Sequence, residues 1–337
     1  MAERLTLAGF VNAHSHAFQR ALRGRVDGGD FWAWREAMLV LAREQSPERV
    51  REEYAAVYRE MRAAGFTAVG EFHYLGLEQA LAASEAAAEA GIAFVLLHTA
   101  YARGGSEELR QPTVAAYLEE VGGLRRDGIS VGVAPHSVRA CPPGWLEEIG
   151  GYAAEHGLVL HVHACEQPRE IEECLSEHGL RPIELLARTG CLGPRTTVVH
   201  ATHASDAELD LLAEHGARIC ACPTTEASLG DGFLPVERVH ARGIPLCIGS
   251  DSNVRIDPLE ELRELEGIAR RQALRRGVLE VEELLRIGSD EGAASLGLDV
   301  WDDVAADLGH PSLAGIPPGE TRAALVFGCA ADVFSSV

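Results

Sequence analysis

Features that mark several other classes of protein are missing from this sequence. Its formal net charge is −21, with 30 Lys and Arg against 51 Asp and Glu, which argues against a surface for nucleic acid or anionic membranes. No apolar run reaches the roughly 20 residues that span a bilayer, so we expect no membrane partner. No signal-peptide pattern opens the chain, because Met1-Ala2-Glu3-Arg4 leads straight into an apolar strand, and we expect a cytoplasmic protein.

The cysteines also lack a pairing pattern. Eight are present, and none belongs to a C-x-x-C motif. Several, such as Cys165 and Cys247, lie in apolar runs typical of buried strands. We therefore expect reduced thiols in the core of a cytosolic enzyme rather than disulfides. A metal site at Cys220-Ala221-Cys222 is the weaker alternative.

What the sequence does contain is a regular alternation of apolar and amphipathic segments. The chain has 337 residues, 47% of them hydrophobic, which is enough for a large core. Eight short runs are almost continuously apolar, as expected for parallel strands covered on both faces. These runs occupy 7–14, 67–74, 92–100, 129–136, 158–165, 196–203, 217–224 and 244–250. Helical patterns follow at roughly 47–64, 78–90, 112–127, 143–156, 169–188, 205–215, 233–242, 258–276 and 280–296.

Eight strand–helix units predict an α/β fold of the (β/α)8 barrel type, with a doubly wound open sheet as the alternative. Histidines and other polar residues recur at or just after the predicted strand ends. In a barrel these ends share one face, where active sites are built, whereas an open sheet would spread them along an edge. This distribution favours the barrel. We assign residues 1–300 to a catalytic barrel and 301–337 to a short C-terminal tail.

The motif Asn12-Ala13-His14-Ser15-His16 lies at the end of the first apolar run. Residues two apart in a strand point to the same face, so His14 and His16 can offer two nitrogen ligands to one metal ion. His163 and Asp251 end two later strands and complete the predicted ligand set. Nitrogen and oxygen ligands with an open position suit catalytic Zn²⁺, and Fe²⁺ fits the same donors. Such a metal lowers the pKa of its water toward neutrality.

Three residues are candidates for moving protons during the reaction. Glu166 lies three residues after His163, where its carboxylate can pass a proton to a substrate nitrogen. Asp251 can accept a proton from the water. We expect His200 to orient the hydroxide or stabilise charge rather than bind a second metal, because 131–136 contains no lysine that could bridge two metals. His161 is interpreted as a supporting residue beneath His163.

Two connections are expected over the same face. The segment 17–46 is far longer than a typical loop and contains Phe31-Trp32-Ala33-Trp34-Arg35. It is either a lid or substrate clamp, or a short helix that packs its aromatic residues over the barrel mouth, and both interpretations can hold together. The loop 224–233, with Gly230-Asp231-Gly232, is expected beside it.

The combination of H-x-H, H-x-x-E, a later His and S-D resembles the amidohydrolase superfamily, and the H-x-x-E variant resembles its mononuclear deaminase branch. A finer set of motifs, over about residues 9–275, resembles the formimidoylglutamate deiminases of histidine degradation. These motifs are 12–20 (NAHSHAFQR), 31–35 (FWAWR), 71–74 (EFHY), 136–140 (HSVRA), 222–232 (CPTTEASLGDG), 249–252 (GSDS) and 260–263 (EELR).

The resemblance implies hydrolysis of N-formimino-L-glutamate to N-formyl-L-glutamate and ammonia by an enzyme that holds one zinc ion per subunit. It implies His14, His16, His163 and Asp251 as metal ligands and Glu166, His200 and Asp251 as catalytic residues. It also implies a dicarboxylate amidine substrate, which planar guanidiniums suit because they bind carboxylates in bidentate fashion. The substrate-binding residues it implies are Gln19, Arg35, Tyr74, His136 and Arg139.

Two departures from the family pattern are visible. Members of this branch usually carry a small β-sandwich built from both chain ends, and here the tail 301–337 is interpreted as a remnant of it. The family's histidine after Tyr74-Leu75 is Gly76 in this chain. We expect the catalytic positions to be unaffected and the assembly to be a homodimer.

Other functions stay open at this stage. Another deaminase of the same branch, acting on a nucleobase or related amidine, would replace Arg35 and Arg139 by an apolar stacking pocket. A ring-opening hydrolase of the imidazolone type would release no ammonia. A non-catalytic binding barrel would have no use for Glu166, His200 and Asp251 together.

Overall fold

The computed structural model describes residues 3–26 and 28–334. Eight strands in this part of the chain form one parallel sheet whose spatial order is the chain order, and two further strands pair with each other. The strands are β1 (Arg4–Ala8), β2 (Phe10–Ser15), β3 (Phe66–His73), β4 (Ala93–Ala100), β5 (Val131–Pro135), β6 (Leu160–Ala164), β7 (Thr196–His200), β8 (Arg218–Ala221), β9 (Leu246–Ile248) and β10 (Asp303–Asp307).

The parallel sheet closes on itself between its first and last strands. Ser15 forms a parallel bridge with Asp251, which follows β9. The Asp251 amide donates to the His14 carbonyl at 2.9 Å, and the His16 amide donates to the Asp251 carbonyl at 2.8 Å. A side chain at Gly249 would lie 2.6 Å from the His14 carbonyl oxygen, so only glycine permits this approach. The predicted (β/α)8 barrel is confirmed, and the alternative prediction, a doubly wound open sheet, is wrong.

Helices cover the outside of the barrel, and their ends follow local sequence signals. Pro143 begins α5 and Gly157, with φ of 62°, ends it in the left-handed conformation that glycine adopts without strain. The described α-helices are α1 (Phe31–Arg43), α2 (Pro47–Ala63), α3 (Leu77–Ala90), α4 (Val114–Arg126), α5 (Pro143–His156), α6 (Pro168–His178), α7 (Pro182–Arg188), α8 (Asp206–His215), α9 (Pro223–Leu229), α10 (Val236–Ala241), α11 (Pro258–Ala273), α12 (Val281–Gly288), α13 (Asp290–Leu296) and α14 (Thr321–Gly328).

Several predicted boundaries were wrong, each for a local reason. The strand predicted at 7–14 divides at Gly9 into β1, which leaves the barrel, and β2, which opens it. The helix predicted at 169–188 divides into α6 and α7, because Gly179 ends one and Pro182 begins the other. The helix predicted at 280–296 breaks at Ser289, whose φ and ψ are −126° and −84°.

The two segments expected over the barrel mouth contain helices. The segment 17–46 forms a 3-10 helix, Ala17–Leu22, and then α1, so the interpretation as a short helix that packs its aromatics is supported. Six of the ten residues in the predicted loop 224–233 belong to α9, which begins at Pro223. A proline at the first helical position costs no hydrogen bond and favours this start.

The two ends of the described chain meet beside the barrel. β1 and β10 pair antiparallel, with Leu7 opposite Val304, and form the two-stranded sheet outside the barrel in the described residues. The Trp301 indole donates to the Gly9 carbonyl at 2.9 Å and joins this sheet to the start of β2. The division of the chain at residue 300 stays a prediction. None of the described helices has the length and apolarity needed to cross a membrane.

Candidate active site

Most of the predicted site residues converge at the carboxyl ends of the barrel strands. His14 and His16 end or follow β2, His163 lies in β6, and His200 ends β7. Asp251 follows β9 and is held there by its two backbone bonds to the β2 end. All five side chains are buried. The barrel therefore brings together groups that are up to 237 positions apart in the sequence, from His14 to Asp251.

Three histidines and one aspartate surround a common point. The ring nitrogens of His14, His16 and His163 lie within 4.8 Å of one another, with 3.1 Å between the Nε2 atoms of His14 and His163. Asp251 Oδ1 lies 3.6 Å from His14 Nε2 and 3.5 Å from His16 Nε2. This is the donor set predicted from the sequence.

The chemistry of this cluster fits a metal ion. The Nδ1–H of His16 donates to the Phe72 carbonyl at 2.9 Å, and the Nδ1–H of His163 donates to the His136 carbonyl at 3.0 Å. A carbonyl can only accept, so both rings keep the lone pair on Nε2 free, as metal-bound histidines usually do. Burial lowers the pKa of His16 to about 3 and that of His163 well below its ordinary value. Neutral rings whose free lone pairs face a common point are well placed to bind a cation.

Asp251 also faces a second group. Its Oδ2 lies 3.8 Å from His200 Nε2, and the Cys222 thiol is within 4.8 Å of both residues. A thiol must lose its proton to bind a metal, and burial, which raises the pKa of Cys222 well above its ordinary value, therefore disfavours Cys222 as a ligand. All eight cysteines are buried and free of disulfides. The group of His14, His16 and His163 with Asp251 is therefore a better cation site than the group of His200, Cys222 and Asp251.

His200 lies between acidic groups and is held on both sides. Its Nδ1 contacts Glu226 Oε1 at 3.2 Å, and its Nε2 is 3.6 Å from Glu166 Oε1. Burial disfavours the charged ring, but the charges of Glu166, Glu226 and Asp251 outweigh burial and raise the pKa of His200 to about 10. The ring is thus a cation that faces the centre of the site.

Two site residues have strained backbones. His200 has φ of 73° and Asp251 has φ of 45°, in the left-handed region that residues other than glycine rarely adopt. Such strain persists only where surrounding contacts hold it, and it concentrates at functional positions. At His200 and Asp251 those contacts are the Glu226 carboxylate and the seam between β9 and β2.

Glu166 is a buried carboxyl group beside a cation. Burial raises the pKa of Glu166, and the charges of His200 and Arg139 oppose the shift. Arg139 Nη2 lies 3.6 Å from Glu166 Oε2. A carboxyl group at a cavity whose pKa is raised in this way is suited to proton transfer.

Arginines and aromatic rings form the mouth of the cavity. Arg35 enters from α1 and Arg139 from the segment after β5. The Arg139 and Arg169 guanidiniums lie over the ring of Trp32, at 5.7 and 4.4 Å from its centroid, so α1 is packed onto the loops around the cavity. The cavity is lined by His16, Gln19, Phe31, Trp34, Arg35, Met38, Tyr74, Tyr101, His136, Arg139, His163, Glu166, His200, Leu229 and Asp251.

The structure places every predicted site residue at this cavity. The lining includes all of them except His14, whose Nε2 contacts both His163 and Asp251 just below. Gln19 donates its side-chain amide to the Tyr74 hydroxyl at 3.0 Å, and that hydroxyl donates to Met38 Sδ at 3.3 Å. His136 also contacts the histidine cluster, which the sequence did not predict: its backbone carbonyl accepts a hydrogen bond from the His163 ring.

A model of the amidohydrolase family matches residues 5–300 of this chain, which include the whole cavity. The chain belongs to the amidohydrolase family. The buried histidine and aspartate donors described above lie within the matched region.

Relatives of this amidohydrolase include enzymes named for different substrates. A formimidoylglutamate deiminase from Pseudomonas aeruginosa is 39% identical over 297 residues, which are 79% of this chain and 65% of the relative. A 5-methylthioadenosine/S-adenosylhomocysteine deaminase from Natronomonas pharaonis is 29% identical over 303 residues, which are 88% of this chain and 69% of the relative. The chain thus spans less than two thirds of the first relative's length.

Solved structures share the fold. An amidohydrolase from Brucella melitensis is 32% identical with a TM-score of 0.88, covering 98% of this chain and 84% of its own. An adenosine deaminase from Xanthomonas campestris, solved with bound zinc, is 24% identical with a TM-score of 0.89, covering 98% of this chain and 78% of its own. This second likeness shows the barrel fold alone.

Three residues of this amidohydrolase's site were given no role from the sequence, although one of them, Glu226, lies in the motif 222–232. Glu226 contacts His200 and also accepts from the Cys222 amide at 2.9 Å. Glu170 accepts from the Glu166 amide at 3.1 Å, and its other oxygen lies 4.0 Å from Arg139 Nε. Tyr101 lines the cavity after β4. The spacing of Glu166 and Glu170, four residues apart at a helix start, was the signal available for one of them.

Proposed function

We propose that this amidohydrolase hydrolyses N-formimino-L-glutamate to N-formyl-L-glutamate and ammonia, as in histidine degradation. One observation carries the proposal: a single buried cavity contains both the hydrolytic group of Glu166, His200 and Asp251 and two arginines, Arg35 and Arg139. A substrate with two carboxylates and one amidine needs both features. The likeness to the Pseudomonas aeruginosa deiminase supports the same substrate.

The two arginines would bind the carboxylates of the substrate. Arg139 has two carboxyl groups nearby, at 3.6 and 4.0 Å, but its buried Nε has no hydrogen-bond partner among the described residues. A buried donor without a partner is costly, and a substrate carboxylate would satisfy it. Gln19, Tyr74 and His136 would contact the rest of the substrate from neighbouring parts of the wall.

One zinc ion is proposed as the cofactor, with His14, His16, His163 and Asp251 as its ligands; Fe²⁺ fits the same donors. When bound, it would lower the pKa of a water molecule and polarise the amidine. The two carbonyls of Phe72 and His136 hold the His16 and His163 rings in the orientation that this requires.

The protein's own residues would move the protons. Asp251 would accept a proton from the attacking water, and Glu166 would deliver a proton to the imine nitrogen as the tetrahedral intermediate forms. The charged His200 would stabilise negative charge on the water-derived oxygen that becomes bonded to the formimino carbon. Asp251 would then pass its proton to the amino nitrogen, and Glu166 would take back the hydroxyl proton, so that the C–N bond breaks, ammonia leaves and the formyl carbonyl forms. Glu166 lies close enough to His200, at 3.6 Å, to act on the same carbon.

A second candidate is deamination of an adenosine-type compound. The cavity also contains four aromatic side chains, Phe31, Trp34, Tyr74 and Tyr101, which could stack on a base. Several relatives, such as the one from Natronomonas pharaonis, are named as deaminases of this type. S-adenosylhomocysteine has one carboxylate and methylthioadenosine has none, so neither provides a carboxylate for each of the two arginines, and we favour the dicarboxylate.

A coupled ammonia-release assay tests the proposal. We expect turnover of N-formimino-L-glutamate and little or none of 5′-methylthioadenosine, adenosine or guanine. Turnover of a nucleoside or base without turnover of the dicarboxylate would overturn the proposal. Ring opening of an imidazolone without ammonia release would instead support the ring-opening alternative.

The assembly and location of the enzyme stay predictions. A homodimer in the cytoplasm, without nucleic-acid or membrane partners, was expected from the sequence. Sedimentation equilibrium of the purified protein would test the dimer, because a dimer would have twice the chain mass of 36.1 kDa.

A further inference from the structure

Tyr101 is a cavity residue with no assigned task. It follows β4, is 2% exposed, and lines the cavity together with Arg35 and Arg139. The sequence motifs of the site do not include it. Its position at the arginine side of the cavity makes a role in substrate recognition testable.

The hydroxyl of Tyr101 differs from that of the other tyrosine in the cavity. The Tyr74 hydroxyl accepts from Gln19 at 3.0 Å and donates to Met38 at 3.3 Å. Among the described residues, the Tyr101 hydroxyl has no hydrogen-bond partner, although its backbone does. Because the side chain lines the cavity, this hydroxyl can bind a ligand there.

The side chain is held firmly by its surroundings. Its ring packs on His136, with 4.4 Å between centroids, and on Tyr74, with 5.8 Å. The Tyr101 amide donates to the Gln111 side chain at 2.9 Å, and the Gln111 amide donates back to the Tyr101 carbonyl at 3.0 Å. A donor fixed in advance loses little conformational freedom when a ligand binds.

The charges around the phenol favour a bound anion. Burial raises the pKa of Tyr101, and the charges of Arg35 and Arg139, which line the same cavity, act against that rise. The phenol therefore keeps its proton at neutral pH and can donate it. An anion that meets both arginines would also be within reach of this donor.

We propose that the Tyr101 hydroxyl donates a hydrogen bond to one carboxylate of the substrate, beside Arg35 and Arg139, and so helps to select a dicarboxylate. This inference rests on the proposed function and adds to it a third anion-binding group. Tyr101 would touch the carboxylate end of the substrate, whereas Glu166 and Asp251 act at the amidine.

The test is Tyr101→Phe, which removes only the hydroxyl, with Tyr152→Phe as the matched control. Tyr152 is half-buried on α5, where its ring packs on His156 away from the cavity. Steady-state kinetics with N-formimino-L-glutamate should give a KM raised about 10- to 100-fold in Tyr101→Phe, the usual effect of one hydrogen bond to a charged group. We expect kcat and the melting temperature to change little, and the control to match the wild type.

Two substrate analogues locate the contact. N-formimino-4-aminobutyrate lacks the α-carboxylate and N-formimino-2-aminobutyrate lacks the γ-carboxylate. The KM ratio of Tyr101→Phe to wild type should fall to about one with the analogue whose missing carboxylate is the partner. An unchanged KM with the full substrate, a fall in kcat alone, or a KM ratio that persists with both analogues would overturn the inference. If the wild type fails to turn over the full substrate, the proposed function fails instead.

Discussion

Asp251 contacts His14 twice, once through its side chain and once through its backbone. Its Oδ1 lies 3.6 Å from His14 Nε2, and its amide donates to the His14 carbonyl at 2.9 Å. The residue that closes the barrel is therefore also a candidate metal ligand. Because the seam between β9 and β2 sets the spacing of the donors, damage to the seam should weaken metal binding without removing a ligand.

The seam is held by the two asparagines of the sequence, Asn12 and Asn253. The Asn12 amide donates to Ser250 Oγ at 2.6 Å and accepts from the Ser250 amide at 2.9 Å. We expect Asn12→Ala to lower zinc affinity by about 10- to 100-fold, the usual cost of losing a group that supports ligands. The control is Gln79→Ala, which loses one hydrogen bond from a side-chain amide to the Gln45 carbonyl, away from the seam. Equal zinc affinities in a competition titration would contradict the expectation.

Two histidines of β6 provide a matched pair for the metal site. His163 faces the cluster, whereas His161, two residues deeper, contacts the Ser295 carbonyl at 2.9 Å. We expect His163→Gln to lose its metal and its turnover, and His161→Gln to keep about one metal per chain. Metal content is measured by inductively coupled plasma mass spectrometry. Chelation of the wild type should abolish activity and added zinc should restore it; full activity in metal-free protein would show the scheme to be wrong.

Arg139 is a half-buried arginine of the cavity wall and is proposed to bind a carboxylate of the substrate. Arg139→Met keeps the length of the side chain but removes its charge and its donors. We expect KM for N-formimino-L-glutamate to rise about 10- to 100-fold or more, because at least one hydrogen bond to a carboxylate is lost. Arg126→Met, at an exposed position on α4, should leave KM unchanged. An unaltered KM in Arg139→Met would remove this arginine from the substrate site.

Glu166 is the proposed proton donor. Glu166→Gln keeps the shape of the side chain but cannot transfer a proton, so we expect kcat to fall by about 10²- to 10⁴-fold. KM should change much less, since the carboxylates of the substrate bind elsewhere. Glu173→Gln, on the exposed face of α6, is the control. A variant that keeps its kcat would assign the proton transfer to another group.

Much of this site could be predicted from the sequence because strand ends carry its chemistry. An apolar run that ends in histidine or aspartate marks both the strand and the direction of the active face, as at His14, His163 and His200. The barrel follows from the repetition of these units. Arg35 and Arg139 were predicted as substrate-binding residues from the resemblance to known enzymes, since an isolated arginine has no pattern that distinguishes it from a surface residue.

What the sequence did not reveal depends on contacts between distant segments. Glu226 was recognised as part of a motif, but its contact with His200 depends on how α9 packs against β7. The free hydroxyl of Tyr101 could be found only by examining its neighbours. The splitting of the first predicted strand at Gly9 reflects the pairing of β1 with β10, nearly 300 residues away in the chain, which no local pattern encodes.

Glu71 is a buried carboxyl group in β3, where it pairs in the sheet with Ser15, between His14 and His16. Its Oε1 accepts from the Ala17 amide at 2.7 Å, and its Oε2 has no hydrogen-bond partner among the described residues. Burial raises the pKa of Glu71 from the ordinary 4.5 to about 8. Between these two values the folded chain holds a proton that the unfolded chain has released.

This difference makes stability depend on pH. The contribution of Glu71 to the free energy of unfolding is fully present below about pH 4.5 and is lost as the pH rises toward 8. The free energy of unfolding should fall by up to about 1.4 kcal/mol per pH unit in this window. Glu71→Gln, which keeps the acceptor for Ala17 but cannot ionise, should lack this part of the slope. Urea unfolding of the metal-free proteins at pH 5.5, 7 and 8.5, with the exposed Glu78→Gln as control, measures it; a wild-type to Glu71→Gln difference that is constant across these pH values would contradict the assignment.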